Sequence, residues 1–444
     1  MSDYDVLIIG SGAAGQTVAS ACAAAGRKVG VIDRQPFGGT CSLRGCVPKK
    51  VLFSAAETVA RAQMLAGKGV SGPISLDWPT LAAYKRTYTD PVPERTKTWM
   101  RELGIDTLSG TAAFVAPDAL TVDGARLTAP AIVIATGARP ITLGIPGEEH
   151  VSTSTDFLEL ERMPTRVLFI GGGYISFEFA AIAQRAGADV TIVHRSAQVL
   201  EGFDPTLTAL LVDRYRALGI EVLTDSAVEG VERLGDRLVV RAADRSLEAD
   251  LVVHGAGRIP DLADLDLDAA GVAFGRRGVA VDRFMRSTTN PGVWALGDAA
   301  DAGVPLTPVA SAQGEVVAAN ILGGTVEFEE GATPSVVFSD PPMATVGVGV
   351  ETTGTDDRLE STFFDMGDWF SQTRAGSGTA GAVLVIDTRS DTIVGAHLLG
   401  VDADEVINVF ALAIRFGITL AQLRTVTWSY PTLSYEINYL TGRY

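Results

Sequence analysis

Cys41 and Cys46 stand five positions apart in the stretch Gly38-Gly39-Thr40-Cys41-Ser42-Leu43-Arg44-Gly45-Cys46-Val47-Pro48-Lys49-Lys50. Two thiols this close can form and break a disulfide with little backbone movement. A lysine or a helix N-terminus beside a thiol lowers its pKa and makes the thiolate accessible near neutral pH. Lys49 and Lys50 lie just beyond the pair, and a helical run is expected from Val51 to Leu65. Taken alone, the pair reads by default as a structural disulfide or as two buried thiols, ahead of a redox couple. The elements around it have to decide.

Those elements begin with Val6-Leu7-Ile8-Ile9, a short apolar strand. It runs into Gly10-Ser11-Gly12-Ala13-Ala14-Gly15, an alanine-rich helix, a stop at Gly26 and a second strand, Val29 to Ile32, ending at Asp33. Gly10, Gly12 and Gly15 permit a tight turn and close approach of a pyrophosphate to a helix N-terminus, and Asp33 is placed to bond a ribose hydroxyl. This predicts a dinucleotide site. Cys22, inside the helix, reads as a small core residue.

The pattern recurs at Val167 to Ile170, followed by Gly171-Gly172-Gly173-Tyr174-Ile175-Ser176, a helix over about 177–186, and a strand at Val190 to Val193. Ser176 stands where the third glycine would be. Two such units imply two dinucleotides, one bound and one exchanging. At the position equivalent to Asp33 the second unit has His194, followed by Arg195. A cation there suits a 2′-phosphate, which predicts NADPH, with NADH as the alternative. Further short strands end in small-residue turns at Ala135-Thr136-Gly137, at Gly257-Arg258-Ile259-Pro260 and at Gly297-Asp298. From about Pro334 the character changes to alternating strands (Gly381 to Ile386, Thr392 to Leu399) and a helix (Glu405 to Phe416), with no glycine fingerprint.

The 444 residues call for two or three domains. A net charge of −17 argues against nucleic-acid binding and against docking on anionic membranes. No apolar run reaches the length of a transmembrane helix. The acidic start, Met1-Ser2-Asp3-Tyr4-Asp5, is unlike a signal peptide. Three cysteines make no secreted disulfide framework, so a cytoplasmic protein is expected, where a disulfide is more often redox-active.

Together these strings resemble the FAD-dependent pyridine nucleotide–disulfide oxidoreductases, the family of glutathione reductase, dihydrolipoamide dehydrogenase and mercuric reductase. The motif Gly39-Thr40-Cys41 … Gly45-Cys46-Val47-Pro48-Lys49 is similar to the family's redox-disulfide motif, and the resemblance covers nearly the whole chain. It implies an α/β fold with two Rossmann-like dinucleotide-binding domains, one inserted in the other, plus a C-terminal α+β dimerisation domain. The expected boundaries are 1–145 and 256–330 for FAD, 146–255 for NAD(P)H and 334–444 for the homodimer interface.

The resemblance also implies roles. Cys46 would lie against the flavin as the charge-transfer thiolate, and Cys41 would attack a disulfide substrate. Lys49 and Glu178 would pair beside the flavin's reactive nitrogen, and Tyr174 would cover the nicotinamide side. Gly39, Thr40, Ala112, Thr136, Gly137 and Asp298 would join the first glycine turn in holding FAD. Gly171, Gly173, Ile175, His194, Arg195 and Gly257 would serve NADPH. No metal is expected as a resident cofactor.

One departure limits the assignment. The family's disulfide reductases end in His-Pro-Thr-x-x-Glu, whose His protonates the leaving thiolate and whose Glu orients it. Here the string is Tyr430-Pro431-Thr432-Leu433-Ser434-Tyr435, with Glu436 one residue late. None of the four histidines (His150, His194, His254, His397) lies in this segment. Tyr430 can donate a proton, but an ordinary phenol pKa near 10 makes it a poor base. Three readings follow: an NADPH-dependent reductase of a small disulfide using Tyr430, a reductase of metal ions or quinones, or a non-enzymatic redox-responsive flavoprotein. The C-terminal cysteine pair of mercuric reductases is absent from Thr441-Gly442-Arg443-Tyr444, which argues against mercury. Arg34, Tyr84, Tyr88 and Arg374 are candidates for lining an acceptor pocket.

Overall fold

The computed structural model describes residues 2–442, which divide into two compact units. One comprises the chain up to Lys50 with Ala83–Thr142 and Gly257–Glu330. The other comprises Val51–Ala82, Leu143–Ala256 and the chain from Gly331 onward. Positions 443 and 444, the end of the expected interface domain, lie outside the described residues.

The first unit is organised by a five-stranded parallel sheet in the order Val293–Ala295, Ala131–Ile134, Val6–Ile9, Val29–Asp33, Asp106–Ser109. Val6–Ile9 is buried throughout, as an unbroken apolar strand must be when helices cover both faces. In register, Ile9 lies opposite Ile32 and Ile134, so Gly10, Asp33 and Ala135 meet at the carboxyl ends of their strands, where open α/β sheets bind ligands. The helix Ala13–Ala24 packs on the helix Thr307–Ile321, and Gly314 permits the approach: a Cβ there would stand 2.8 Å from Thr17 Cβ.

The second unit carries a four-stranded parallel sheet, ordered Glu221–Leu223, Asp189–Val193, Arg166–Ile170, Leu251–His254, with the helix Tyr174–Arg185 following Arg166–Ile170. Its C-terminal part is a five-stranded antiparallel sheet, ordered Ser335–Val337, Met343–Gly347, Thr392–Leu399, Gly381–Asp387, Leu359–Asp365. The helix Ala403–Arg415 covers it with Ile407 and Phe410 fully buried. The fold class expected from the sequence is the one observed. Among the described residues no helix is long and apolar enough to cross a membrane.

Two helices start earlier than expected. The helix predicted from Val51 begins at Cys46, because Pro48 falls in the first turn, where its missing N–H has no intrahelical acceptor to lose. The helix predicted from Phe177 begins at Tyr174, directly on the glycine turn. One helix spans Trp78–Thr89 and the next Val92–Glu102, with Asp90-Pro91 breaking the run between them.

The core of the second unit includes Phe157 stacked on Phe179 at 4.5 Å and 13°, with Trp78 edge-on at 6.0 Å. Phe157 is fully buried, so Phe157→Ala is expected to cost about 3–5 kcal/mol, read as a lower unfolding midpoint in denaturant. A loss under about 1 kcal/mol would show that this cluster collapses freely around the cavity.

Candidate active site

The two thiols are not joined and interact directly. The Cys41 thiol donates a hydrogen bond to Cys46, which is the largest influence on both groups. It holds the Cys46 pKa down to about 6, helped by the Thr307 hydroxyl (3.6 Å from Sγ) and the charge of Lys49, against the opposing effect of burial. The Cys41 pKa moves up, through the same hydrogen bond and then burial. Cys46 opens the helix Cys46–Met64, whose N-terminal dipole favours an anion. Thr307 was invisible to sequence reading, since nothing local ties a helix start 261 residues away to a thiol.

Ser11 fastens this segment to the first glycine turn. Its hydroxyl donates to Asp33 Oδ2 (2.6 Å) and accepts from Gly38 N (3.0 Å), while Ser11 N also donates to Asp33 Oδ2 (2.8 Å). Gly39 packs on Gly12 so closely that a Cβ would stand 2.4 Å from Gly12 Cα. Gly10 has φ +112°, and a Cβ would meet Ala135 O at 2.2 Å. Thr40 is exposed on the short helix Gly39–Arg44.

These residues fit FAD. The helix Ala13–Ala24 has no side-chain cap at Gly12, leaving its first N–H groups for a pyrophosphate. The Thr136 hydroxyl is buried without a hydrogen-bond partner, which a ligand polar group would supply. Gly137 (φ +69°) turns the chain beside it, and Ala112 is buried at the start of its strand. The Asp298 carboxyl is pushed above its ordinary range by burial, with Arg258 opposing. Gly257 (φ +117°) belongs to this unit, its carbonyl accepting from Ile141 N at 3.1 Å. Arg34 is engaged by Asp261 (2.6 Å) and Asp264, and the Tyr84 and Tyr88 hydroxyls bond each other at 2.7 Å.

The second glycine turn repeats the design with a different acceptor. His194 Nδ1 accepts from Gly172 N at 3.0 Å, the bond that Asp33 makes to Ser11 N in the first turn, while Nε2 donates to Gln198 O at 3.0 Å. The histidine thus holds the loop, and Arg195 beside it is exposed. Gly171 has φ +106° and a Cβ would stand 2.6 Å from Ala256. Gly173 leaves the helix Tyr174–Arg185 without a side-chain cap, and the Ser176 hydroxyl is buried without a partner. This cradle fits a second dinucleotide. Tyr174 is 51% exposed at the helix start, and Ile175 packs on the core behind it. Glu178, on the same helix, is buried and accepts from Phe338 N at 3.0 Å.

Tyr430 is 71% exposed, and its ring meets Tyr435 edge-on at 4.7 Å. Glu436 is turned away: only 5% exposed, it accepts from Ser371 Oγ at 2.6 Å and from Ser371 N at 3.2 Å, and burial raises its pKa. The histidines have structural partners. His397, for example, donates to Val348 O (3.1 Å) and accepts from the Thr345 hydroxyl (2.6 Å), and burial lowers its pKa. Among the described residues no base–orienter pair takes the place of the missing His-Glu dyad.

Residues 4–314 match the pyridine nucleotide-disulphide oxidoreductase family, and residues 333–440 match that family's dimerisation domain. The chain belongs to this family. It is 35% identical to a glutathione reductase of Burkholderia cepacia over 99% of each chain. It is 32% identical to a mercuric reductase of Bacillus cereus, over 97% of this chain and 70% of the relative. Its structure matches the Cu(II) complex of the HOCl-induced flavoprotein disulfide reductase RclA of Escherichia coli with a TM-score of 0.89 and 26% identity over 98% of both chains. As a pyridine nucleotide–disulphide oxidoreductase the chain is an enzyme whose cofactors are FAD and NAD(P)H.

Because Cys41 is the first influence on Cys46, Cys41→Ala is expected to raise the Cys46 pKa toward the ordinary thiol range. In the reduced enzyme the Cys46 thiolate dominates above about pH 6 and is lost as pH falls through that value. Ultraviolet thiolate absorbance against pH measures both. An unchanged midpoint in the variant would locate the stabilisation elsewhere.

Proposed function

We propose that this protein passes electrons from NADPH through FAD to the Cys41–Cys46 pair and on to a small disulfide. The observation that carries this reading is the unequal thiol pair, one sulfur held as thiolate and its partner protonated and donating to it. FAD, when bound, supplies two-electron exchange between a nicotinamide and a disulfide. Cys46 would face that group as the thiolate, with the charge of Lys49 favouring it. Cys41 attacks the acceptor sulfur. The Cys46 thiolate is the base within reach of the Cys41 proton, so the attack needs no external histidine. Once Cys41 is bonded to the acceptor its thiol no longer donates to Cys46, so the charge of Lys49 and the Thr307 hydroxyl are what favour loss of that proton to solvent, which frees the Cys46 thiolate to close the disulfide. Tyr430 protonates the departing thiolate. Asp33, Thr136 and Asp298 hold FAD, and Arg195 selects NADPH by its charge. The domain division 1–145 with 256–330, 146–255 and 334–444, a homodimer and a cytoplasmic setting complete the reading.

A second reading takes a metal ion or a quinone as the acceptor. It is favoured by Tyr430 and Glu436, which are held as a surface ring and a buried anchor rather than as a base and its orienter. Relatives named as a mercuric reductase and as a Cu(II) complex of a disulfide reductase support it.

A panel of disulfides, quinones, Hg(II) and Cu(II), assayed with NADPH and NADH while flavin absorbance is followed, separates the two. Cys41→Ser should abolish disulfide turnover, and retained turnover would overturn the first reading. Tyr430→Phe is expected to lower disulfide turnover about a hundredfold if the phenol is the acid, with a much smaller loss on Cu(II). Arg195→Glu is expected to raise KM for NADPH about tenfold or more by replacing a charge-assisted contact with repulsion, and an unchanged KM would remove Arg195 from coenzyme choice.

A further inference from the structure

The parallel sheet of the second unit carries a histidine on each side of its central strand. Arg166–Ile170 lies between Asp189–Val193 and Leu251–His254, with Ile170 opposite Val193 on one side and His254 on the other. His194 directly follows the first neighbour, and His254 closes the second. Both rings use Nδ1 in the same way. His194 Nδ1 accepts from Gly172 N at 3.0 Å, and His254 Nδ1 accepts from Ala256 N at 3.2 Å.

The bond within His254–Ala256 would be an ordinary local turn if it stood alone. The two amides, however, belong to loops that pack on each other. A Cβ on Gly171 would stand 2.6 Å from Ala256 N, and one on Gly255 would overlap the Ser176 hydroxyl. A Cβ on Gly172 would stand 2.8 Å from His194 Cγ, so that imidazole lies directly against the glycine turn. His194 Nε2 donates to Gln198 O at 3.0 Å, which puts the single proton of the neutral ring on Nε2. A second proton, on Nδ1, would set N–H against N–H in either loop. Imidazole is the side chain that gains such a proton between about pH 8 and 5. We propose that His194 and His254 are positioning residues that hold the coenzyme cradle together only while both Nδ1 atoms are unprotonated, so that the grip on NAD(P)H weakens as pH falls. This rests on the second glycine turn being the coenzyme site.

The charged residues on the segments that meet His194 are Arg195 and Glu201 on its own loop and Asp225, whose N–H donates to Ser196 O at 3.2 Å. Those on the segments that meet His254 are Glu148, Glu149, His150 and Asp156, with Glu178 on the helix Tyr174–Arg185. Glu148 accepts from Leu143 N (2.7 Å), Asp156 from Thr153 N (2.6 Å) and Glu178 from Phe338 N (3.0 Å). At each Nδ1 the partner is a backbone N–H, which offers only a proton. The sign follows. The assembled cradle needs neutral rings, so its contribution to coenzyme binding is present above their pKa values and is lost as pH falls through them. By reciprocity, bound coenzyme drives protons off the same rings. Simple attraction between an imidazolium and the coenzyme phosphates predicts the reverse.

The chain has four histidines, so histidine-selective carbon-13 labelling of the FAD-loaded enzyme gives four titrating signals by NMR. With NADP+ at saturation, established by calorimetry, two of the four midpoints are expected to move down by about one pH unit, the equivalent of tenfold coupling. Midpoints that rise, or signals that shift with unmoved midpoints, overturn the proposal while keeping the coenzyme beside the histidines. Signals that do not respond at all place the coenzyme elsewhere, and the cradle reading falls together with the proposal. This titration uses the wild-type protein and does not depend on any variant folding. His194→Asn keeps an oxygen acceptor for Gly172 N but cannot titrate. Calorimetry with NADP+ compares it with the wild type at each pH, so that ionisation of the coenzyme's own 2′-phosphate cancels. The wild type is expected to lose about tenfold in affinity relative to the variant between about pH 7.5 and pH 5.5. A constant ratio overturns the role of His194.

Discussion

The hydrogen bond from the Cys41 thiol to Cys46 is the interaction on which the proposed chemistry of this protein depends. A thiolate beside a protonated thiol is charged where it must exchange electrons and neutral where it must first hold its proton. Two local sequence features prepare it. Pro48 allows the helix to begin at Cys46, and Lys49 supplies charge from the same turn. Thr307 completes the environment from a distant helix. The fold then holds the pair against the first glycine turn through Ser11 and through the contact of Gly39 on Gly12, which tolerates no side chain.

The two glycine turns show one backbone requirement met by two chemistries. Each turn needs an acceptor for the N–H that follows its leading glycine. Asp33 provides it in the first turn and His194 in the second. The aspartate brings negative charge to the strand end, suited to ribose hydroxyls. The histidine brings none, which leaves the neighbouring Arg195 unopposed by a carboxylate at that position. His194 thus fastens the loop through both ring nitrogens, and a preference for a 2′-phosphate, if this chain has one, is proposed to rest on Arg195 beside it.

The C-terminal segment is ordered without a His-Glu pair. Glu436 is spent on Ser371, and Tyr435 packs between Tyr430 and Tyr439. Ring contacts and a buried carboxylate tie the segment to the short helix Phe370–Thr373.

Much of this protein was legible in its residues alone. The parallel strands read as unbroken apolar runs, because strands covered on both faces have no polar side to reveal. Both glycine turns read correctly as strand-to-helix turns, because positive φ at Gly10 and Gly171 leaves glycine little competition. The close cysteine pair and the missing terminal histidine are facts of spacing and composition. The family resemblance already implied Cys46 as the thiolate, but only the tertiary structure brings the Thr307 hydroxyl to it and orients the Cys41 thiol as its donor. It alone gave His194 to the loop and buried Glu436. Each of these outcomes depends on groups brought together from separate elements, and no local pattern in the chain records such meetings.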